Sequence, residues 1–205
     1  MPRREDLPVL VVWGLVLVLA VRAWTAAPGL APTLLVLFQG LVLRQLLGRA
    51  PAVSRGGVRA TLFAFLGTAT PLLFRPAPVP WPEPWAPAVA VLAGLVQVSG
   101  LLLMLAAVVA LGRSFGVRPA LRRLVTIGPY ARMRHPLYVG EWLCAAGLCL
   151  AHPSAWNLLV LLCTGCLLAL RAWLEERVLA ADSAWSGYAR RVPAWPRRLR
   201  QPPVA

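Results

Sequence analysis

Apolar residues run along this chain in blocks of about twenty, separated by short polar or proline-rich breaks. A helix of that length, rising 1.5 Å per residue, crosses a hydrocarbon layer of about 30 Å. Four blocks predict spanning helices: Leu7–Trp24, Leu30–Leu47, Val58–Phe74 and Trp85–Leu111. After Gly128 the pattern changes to a shorter run, Leu137–Ala151, a break at His152-Pro153-Ser154, and a longer run, Ala155–Trp173. So short a break predicts a helical hairpin whose first arm need not span fully. The expected fold is therefore all-α: a polytopic integral membrane protein of about six transmembrane helices, or five, ending in a C-terminal helical hairpin.

The connector Arg75-Pro-Ala-Pro-Val-Pro-Trp-Pro-Glu-Pro-Trp85 alternates proline, which excludes helix and predicts an extended spacer without chemistry. Trp81 and Trp85 suit the boundary between lipid and water. No internal repeat is visible, although inverted-repeat transport architectures show one. His152-Pro153 reads as a turn.

Composition supports the membrane reading. The 205 residues are 59% hydrophobic with a mean hydropathy of +0.69, more apolar than a soluble domain can bury. A net charge of +14, from 21 basic against 7 acidic residues, ordinarily suggests nucleic acid. Here the charge is confined to connectors, so the expected partner is the lipid bilayer, with no nucleic acid. Every basic residue is Arg, which with the Ala, Pro and Leu content resembles base-composition bias. The arginines also set orientation, because cytoplasmic connectors carry the positive excess. Arg44, Arg49, Arg55 and Arg59 bracket one connector; Arg113, Arg118, Arg122, Arg123, Arg132 and Arg134 fill another; Arg171, Arg177, Arg190, Arg191, Arg197, Arg198 and Arg200 crowd the C-terminal end. Only Arg22 and Arg75 fall on the other side. With six helices both termini are expected in the cytoplasm, of a bacterial cell membrane, and Arg3 and Arg4 agree. The first apolar run reads as a retained helix, since no small-residue cleavage site follows it. Cys144, Cys149, Cys163 and Cys166 all lie in apolar runs and read as small hydrophobes, with no metal site expected.

Two polar clusters share the Arg-rich side. The connector from Leu111 to Gly140 is interrupted at Gly128-Pro129 and His135-Pro136, where backbone groups released from regular structure can bind a ligand. At the exit of the last helix, Arg171 and Glu175 stand four apart on one face and make a polar wall, with Glu176 and Arg177 beyond them. A solvated helix end anchored to lipid phosphate explains that spacing equally well. The alternative is that both clusters fold together around a ligand. Glu141 sits at the membrane edge, where it can snorkel, pair with an arginine or meet an acceptor head group.

The segments Leu124-Val-Thr-Ile-Gly-Pro-Tyr130, Arg134-His-Pro-Leu-Tyr-Val-Gly140 and Arg171-x-x-x-Glu175-Glu176, followed by Tyr188 and Val192-Pro193, resemble the isoprenylcysteine carboxyl methyltransferase family. Phospholipid N-methyltransferases are among its relatives. The resemblance spans about Leu111 to Pro196 and leaves out the first three helices. It implies S-adenosylmethionine as cofactor, bound on the cytoplasmic side by Arg122, Arg123, Leu124, Val125, Tyr130, His135, Pro136, Leu137, Tyr138 and Glu175. The family often carries a His where Arg122 stands. Glu175 matches an acidic residue that touches the cofactor and Arg171 one on the substrate side, which makes these two the expected catalytic residues. Residues 1–110 are then scaffold and 111–205 the catalytic region.

The implied activity is methyl transfer to a lipophilic acceptor taken from the bilayer, first of all an isoprenylcysteine-type carboxylate, a small molecule or a prenylated substrate. Arg171 suits a carboxylate because guanidinium can hold one in two places. Phospholipid N-methylation is the alternative enzyme. A nicotinamide-dependent sterol-type reductase is disfavoured by the lack of a further phosphate-binding cluster, and a non-enzymatic membrane subunit is the alternative of another class. Oligomeric state is not legible.

Overall fold

The computed structural model describes residues 7–26, 28–48, 50, 54–55, 62–63, 66–67, 70–78, 81–116, 120–121 and 123–195. Four helices among them are long and apolar enough to cross a membrane. They are α1 (Leu7–Ala26), α2 (Leu30–Gly48), α3 (Trp85–Leu111) and α5 (Ala155–Leu179), with a shorter apolar helix α4 (Pro136–Ala151) between the last two. A short helix α6 (Trp185–Arg191) follows. Two-residue strands β1 (Ser54–Arg55) and β2 (Ala120–Leu121) pair antiparallel, Ser54 opposite Leu121, and tie two connectors together. The chain is an all-α polytopic membrane protein. Its outward Leu and Val side chains, such as Val11, Leu30, Leu95 and Leu162, are exposed because lipid, not protein, covers them.

The expected span Val58–Phe74 lies mostly outside the described residues. Arg113 Nε donates to the Gly48 carbonyl at 3.1 Å, so the C-terminal ends of α2 and α3 lie together. A 3₁₀ turn at Thr70–Leu73 lies at the far side, where Trp156 Nε1 at the start of α5 donates to the Leu73 carbonyl at 2.8 Å. Gly48 and Leu73 therefore lie on opposite sides of the bundle.

The proline-rich spacer is anchored on this far side by Asn157, whose side chain is fully buried. Its Nδ2 donates to the carbonyls of Arg75 at 2.8 Å and His152 at 2.6 Å, and its Oδ1 accepts from the Arg75 amide at 3.0 Å. His152 Nδ1 lies 3.2 Å from the Ala77 carbonyl, so the residue read as a mere turn also holds the spacer. Ser154 caps α5 by accepting from the Asn157 amide.

Helix α4 has 16 residues and is about 24 Å long, shorter than the hydrocarbon core, as the pattern predicted for the first arm of the hairpin. It is held by close approach to α3. A methyl group on Gly100 would sit 2.6 Å from the Gly140 carbonyl oxygen, and one on Gly140 would sit 2.7 Å from the Gly100 oxygen. One turn pair further on, a methyl on Gly147 would meet the Ala93 oxygen at 2.8 Å. Small residues let two backbones touch where no hydrophobic force draws helices together in lipid. Helix α5 runs six residues past the expected end at Trp173, because Glu175 and Glu176 find partners that let the helix continue.

Gly100→Ala is expected to destabilise the detergent-solubilised protein by about 1–3 kcal/mol through overpacking. Gly94→Ala, with nothing within 4 Å, is expected to be neutral or slightly stabilising. Thermal unfolding midpoints of the two variants check this, and equal midpoints would remove the close-packing argument.

Candidate active site

One cleft opens on the side where α3 and α5 end and α4 begins. Its walls bring together Arg123, Leu124, Val125, Tyr130, His135, Leu137, Tyr138, Arg171 and Glu175, all named from the sequence. Pro136 is fully buried at the first turn of α4 and supports this wall from behind; proline is favoured there because the first helical amides have no intrahelical acceptor. Arg122 lies outside the described residues. Arg134, Trp185, Tyr188, Leu179 and the turn residues Ser114 to Gly116 also line the cleft, although they were not in the expected set. Trp185 and Tyr188 are three apart on α6 and share its inward face, a spacing that could have marked them.

The connector is shaped by Gly128, whose φ of +60° suits a residue without a side chain, and which opens a 3₁₀ turn through Ala131. That turn buries Tyr130 in the wall. The C-terminal segment closes over it: the Tyr188 hydroxyl donates to the Tyr130 carbonyl at 2.8 Å, and the Arg134 amide donates to the Pro193 carbonyl at 2.9 Å. Trp185, Tyr188 and Val192 form a small core with Leu124 and Leu179. The His135 ring contacts Trp195, with centroids 5.8 Å apart. Burial holds the Tyr130 hydroxyl well above its ordinary value, with nearby Glu175 adding to the effect. Burial likewise pushes Tyr188 up to about 12, against the lowering influence of Arg134. Both phenols are therefore neutral near pH 7.

Across the α4–α5 hairpin the polar groups pair in steps. His135 Nε2 and Arg134 Nη1 both meet Glu176 Oε1 at 2.8 Å. The Tyr138 hydroxyl donates to Glu175 Oε2 at 2.6 Å. The Arg171 guanidinium, buried rather than solvated, lies 4.8 Å from the Tyr138 ring centroid and within electrostatic reach of Glu141 and Glu175. The reading of this stretch as a solvated helix end is thereby set aside. Arg134 Nε is buried without a hydrogen-bond partner among the described residues. Such a donor is costly to leave unmet and fits a ligand acceptor. No group of three or more potential metal ligands occurs among the described residues.

The fold and site define a membrane-embedded helical protein with a charged, aromatic cleft at one membrane boundary. The family model described as phospholipid methyltransferase matches residues 85–182, which hold α3 to α5 and most of the cleft. That match fits the broader group of membrane methyltransferases to which the sequence resemblance points, and it indicates methyl transfer without separating carboxyl from phospholipid acceptors. No curated protein matches the chain.

Tyr188→Phe removes the hydroxyl bond that fastens α6 to the connector and is expected to cost about 0.5–1.5 kcal/mol. Proteolysis after Arg190 or Arg191 by trypsin should become faster in the variant, and an unchanged cleavage rate would show that α6 is held by packing alone.

Proposed function

We propose that this protein is an S-adenosylmethionine-dependent methyltransferase that takes a lipophilic acceptor from the bilayer, its acceptor being a phospholipid amine. The observation that carries the methyltransferase reading is the donor set of the cleft. The cofactor carries a carboxylate, an ammonium and a sulfonium. Arg123 and the unmet Arg134 Nε suit the carboxylate, Glu175 suits the ammonium, and the aromatic side chains of Tyr130, Trp185 and Tyr188 suit a flat base and a cation. When bound, this cofactor supplies an electrophilic methyl group. The protein then contributes position and exclusion of water, which in methyl transfer can supply up to roughly 7–11 kcal/mol. On this reading residues 1–110 are scaffold, 111–205 carry catalysis, and the Arg-rich cleft side faces the cytoplasm.

The charge around Arg171 supports an amine over a carboxylate. Glu141 and Glu175 both lie near its guanidinium, so acidic groups are at hand to meet an ammonium, and the matched family model is described as phospholipid methyltransferase. The second reading, methyl-ester formation on an isoprenylcysteine-type carboxylate, is favoured by the presence of Arg171 in the cleft wall.

Calorimetric titration in detergent should show binding of S-adenosylmethionine and of its demethylated product, weakened at least tenfold in Glu175→Ala and in His135→Ala. Absence of binding by the parent protein would end the methyltransferase reading, and full binding by both variants would remove this cleft as the site. Transfer of labelled methyl to a lipid extract separates the acceptors: base-stable label is expected, and base-labile label would indicate an ester.

A further inference from the structure

The pairs across the α4–α5 hairpin follow one antiparallel register that descends from the cleft mouth into the membrane. His135 faces Glu176, Tyr138 faces Glu175 one step deeper, and a further step brings Glu141 opposite Arg171. The first two pairs belong to the cleft. The third lies farthest along both helices from the connector, with Arg171 on the cleft wall and Glu141 beside it on α4. A carboxylate in a membrane helix is expensive to keep and marks a functional position by default.

We propose, on the methyltransferase reading above, that Glu141 is the proton acceptor for the amine of the methyl acceptor. Glu141 stands beside Arg171, which lines the cleft, and so lies next to the position of an acceptor held there. The acceptor's ammonium gives a proton to the Glu141 carboxylate, which frees the nitrogen lone pair. The carbon–nitrogen bond then forms as the bond from methyl carbon to the sulfonium breaks, leaving a neutral thioether and a methylated ammonium, and Glu141 returns its proton to water. The groups facing Glu141 are Arg171 from α5, with Glu175 one turn beyond it, and Cys144 on its own helix. Helix α3, packed on α4 through Gly100 and Gly140, offers no ionisable side chain.

The test uses the full chain in nanodiscs of phosphatidylcholine containing phosphatidylethanolamine, with the Glu141→Gln and Glu141→Asp variants. Glu141→Gln should bind S-adenosylmethionine within about twofold of the parent by calorimetry, while kcat for the ethanolamine lipid falls by about 100-fold. Its rate should climb with pH as the amine loses its proton in solution, and Glu141→Asp should recover part of the activity with a parent-like profile. Parent-like kcat and pH profile in Glu141→Gln would overturn the role of Glu141 and leave the methyltransferase reading standing. Loss of cofactor binding in Glu141→Gln but not in Glu141→Asp, with no pH rescue, would also overturn it by assigning a structural role. Failure of the parent to bind cofactor would end the underlying reading itself, and with it this one.

Discussion

Charge carried into hydrocarbon must be met by a partner, and the α4–α5 hairpin is where this chain meets that requirement. Arg134, His135, Tyr138, Glu141, Arg171, Glu175 and Glu176 lie at the boundary or within apolar helices, and each of them contacts or electrostatically faces another across the hairpin. Breaking one member of such a buried set leaves a charge unmet, which is far more costly than replacing the whole set by apolar groups. The pairing also sets the register of the two arms, because a shift by one residue would turn Tyr138 away from Glu175. Stability and site geometry therefore rest on the same contacts.

The rest of the molecule holds that hairpin in place. Helix α4 is too short to be anchored by lipid alone, and it is fixed along one face by backbone contact with α3 through Gly100, Gly140 and Gly147. At the far side Asn157 ties the hairpin turn to the spacer before α3. At the near side α6 folds back through Tyr188 and Pro193 onto the connector. The lipid-exposed helices α1 and α2 join this unit through a core of Val9, Trp13, Phe38, Val42 and Leu46 against Met104 and Val108.

Arg171 illustrates how position changes chemistry. Viewed on its own helix it is a basic residue near a membrane exit, suited to lipid phosphate or to a carboxylate ligand. Placed against Glu141, Glu175 and the Tyr138 ring, its charge is met inside the protein rather than by lipid phosphate. Phenols at Tyr130 and Tyr188, kept neutral by burial, complete a wall in which the charges are few and localised.

Membrane residence, the all-α class, the short first arm of the hairpin and most of the cleft residues were legible in the sequence, because bilayer thickness turns apolar length into topology and because the ordered RHP and Arg-x-x-x-Glu-Glu spacings carry a family resemblance. The extension of α5 to Leu179 was not, since a run of charged residues looks like a helix leaving the membrane until their partners are known. Nor was the contribution of Trp185, which depends on a chain reversal after Leu179, although Arg134 and Tyr188 stood within the resembling segments. The partner of Glu141 was left open among lipid, arginine and acceptor, because residues thirty apart in sequence meet only through the antiparallel register of two helices. Local pattern determined which segments enter the membrane; only the tertiary structure decided which charges face one another inside it, since Coulombic pairing depends on distance in space and not along the chain.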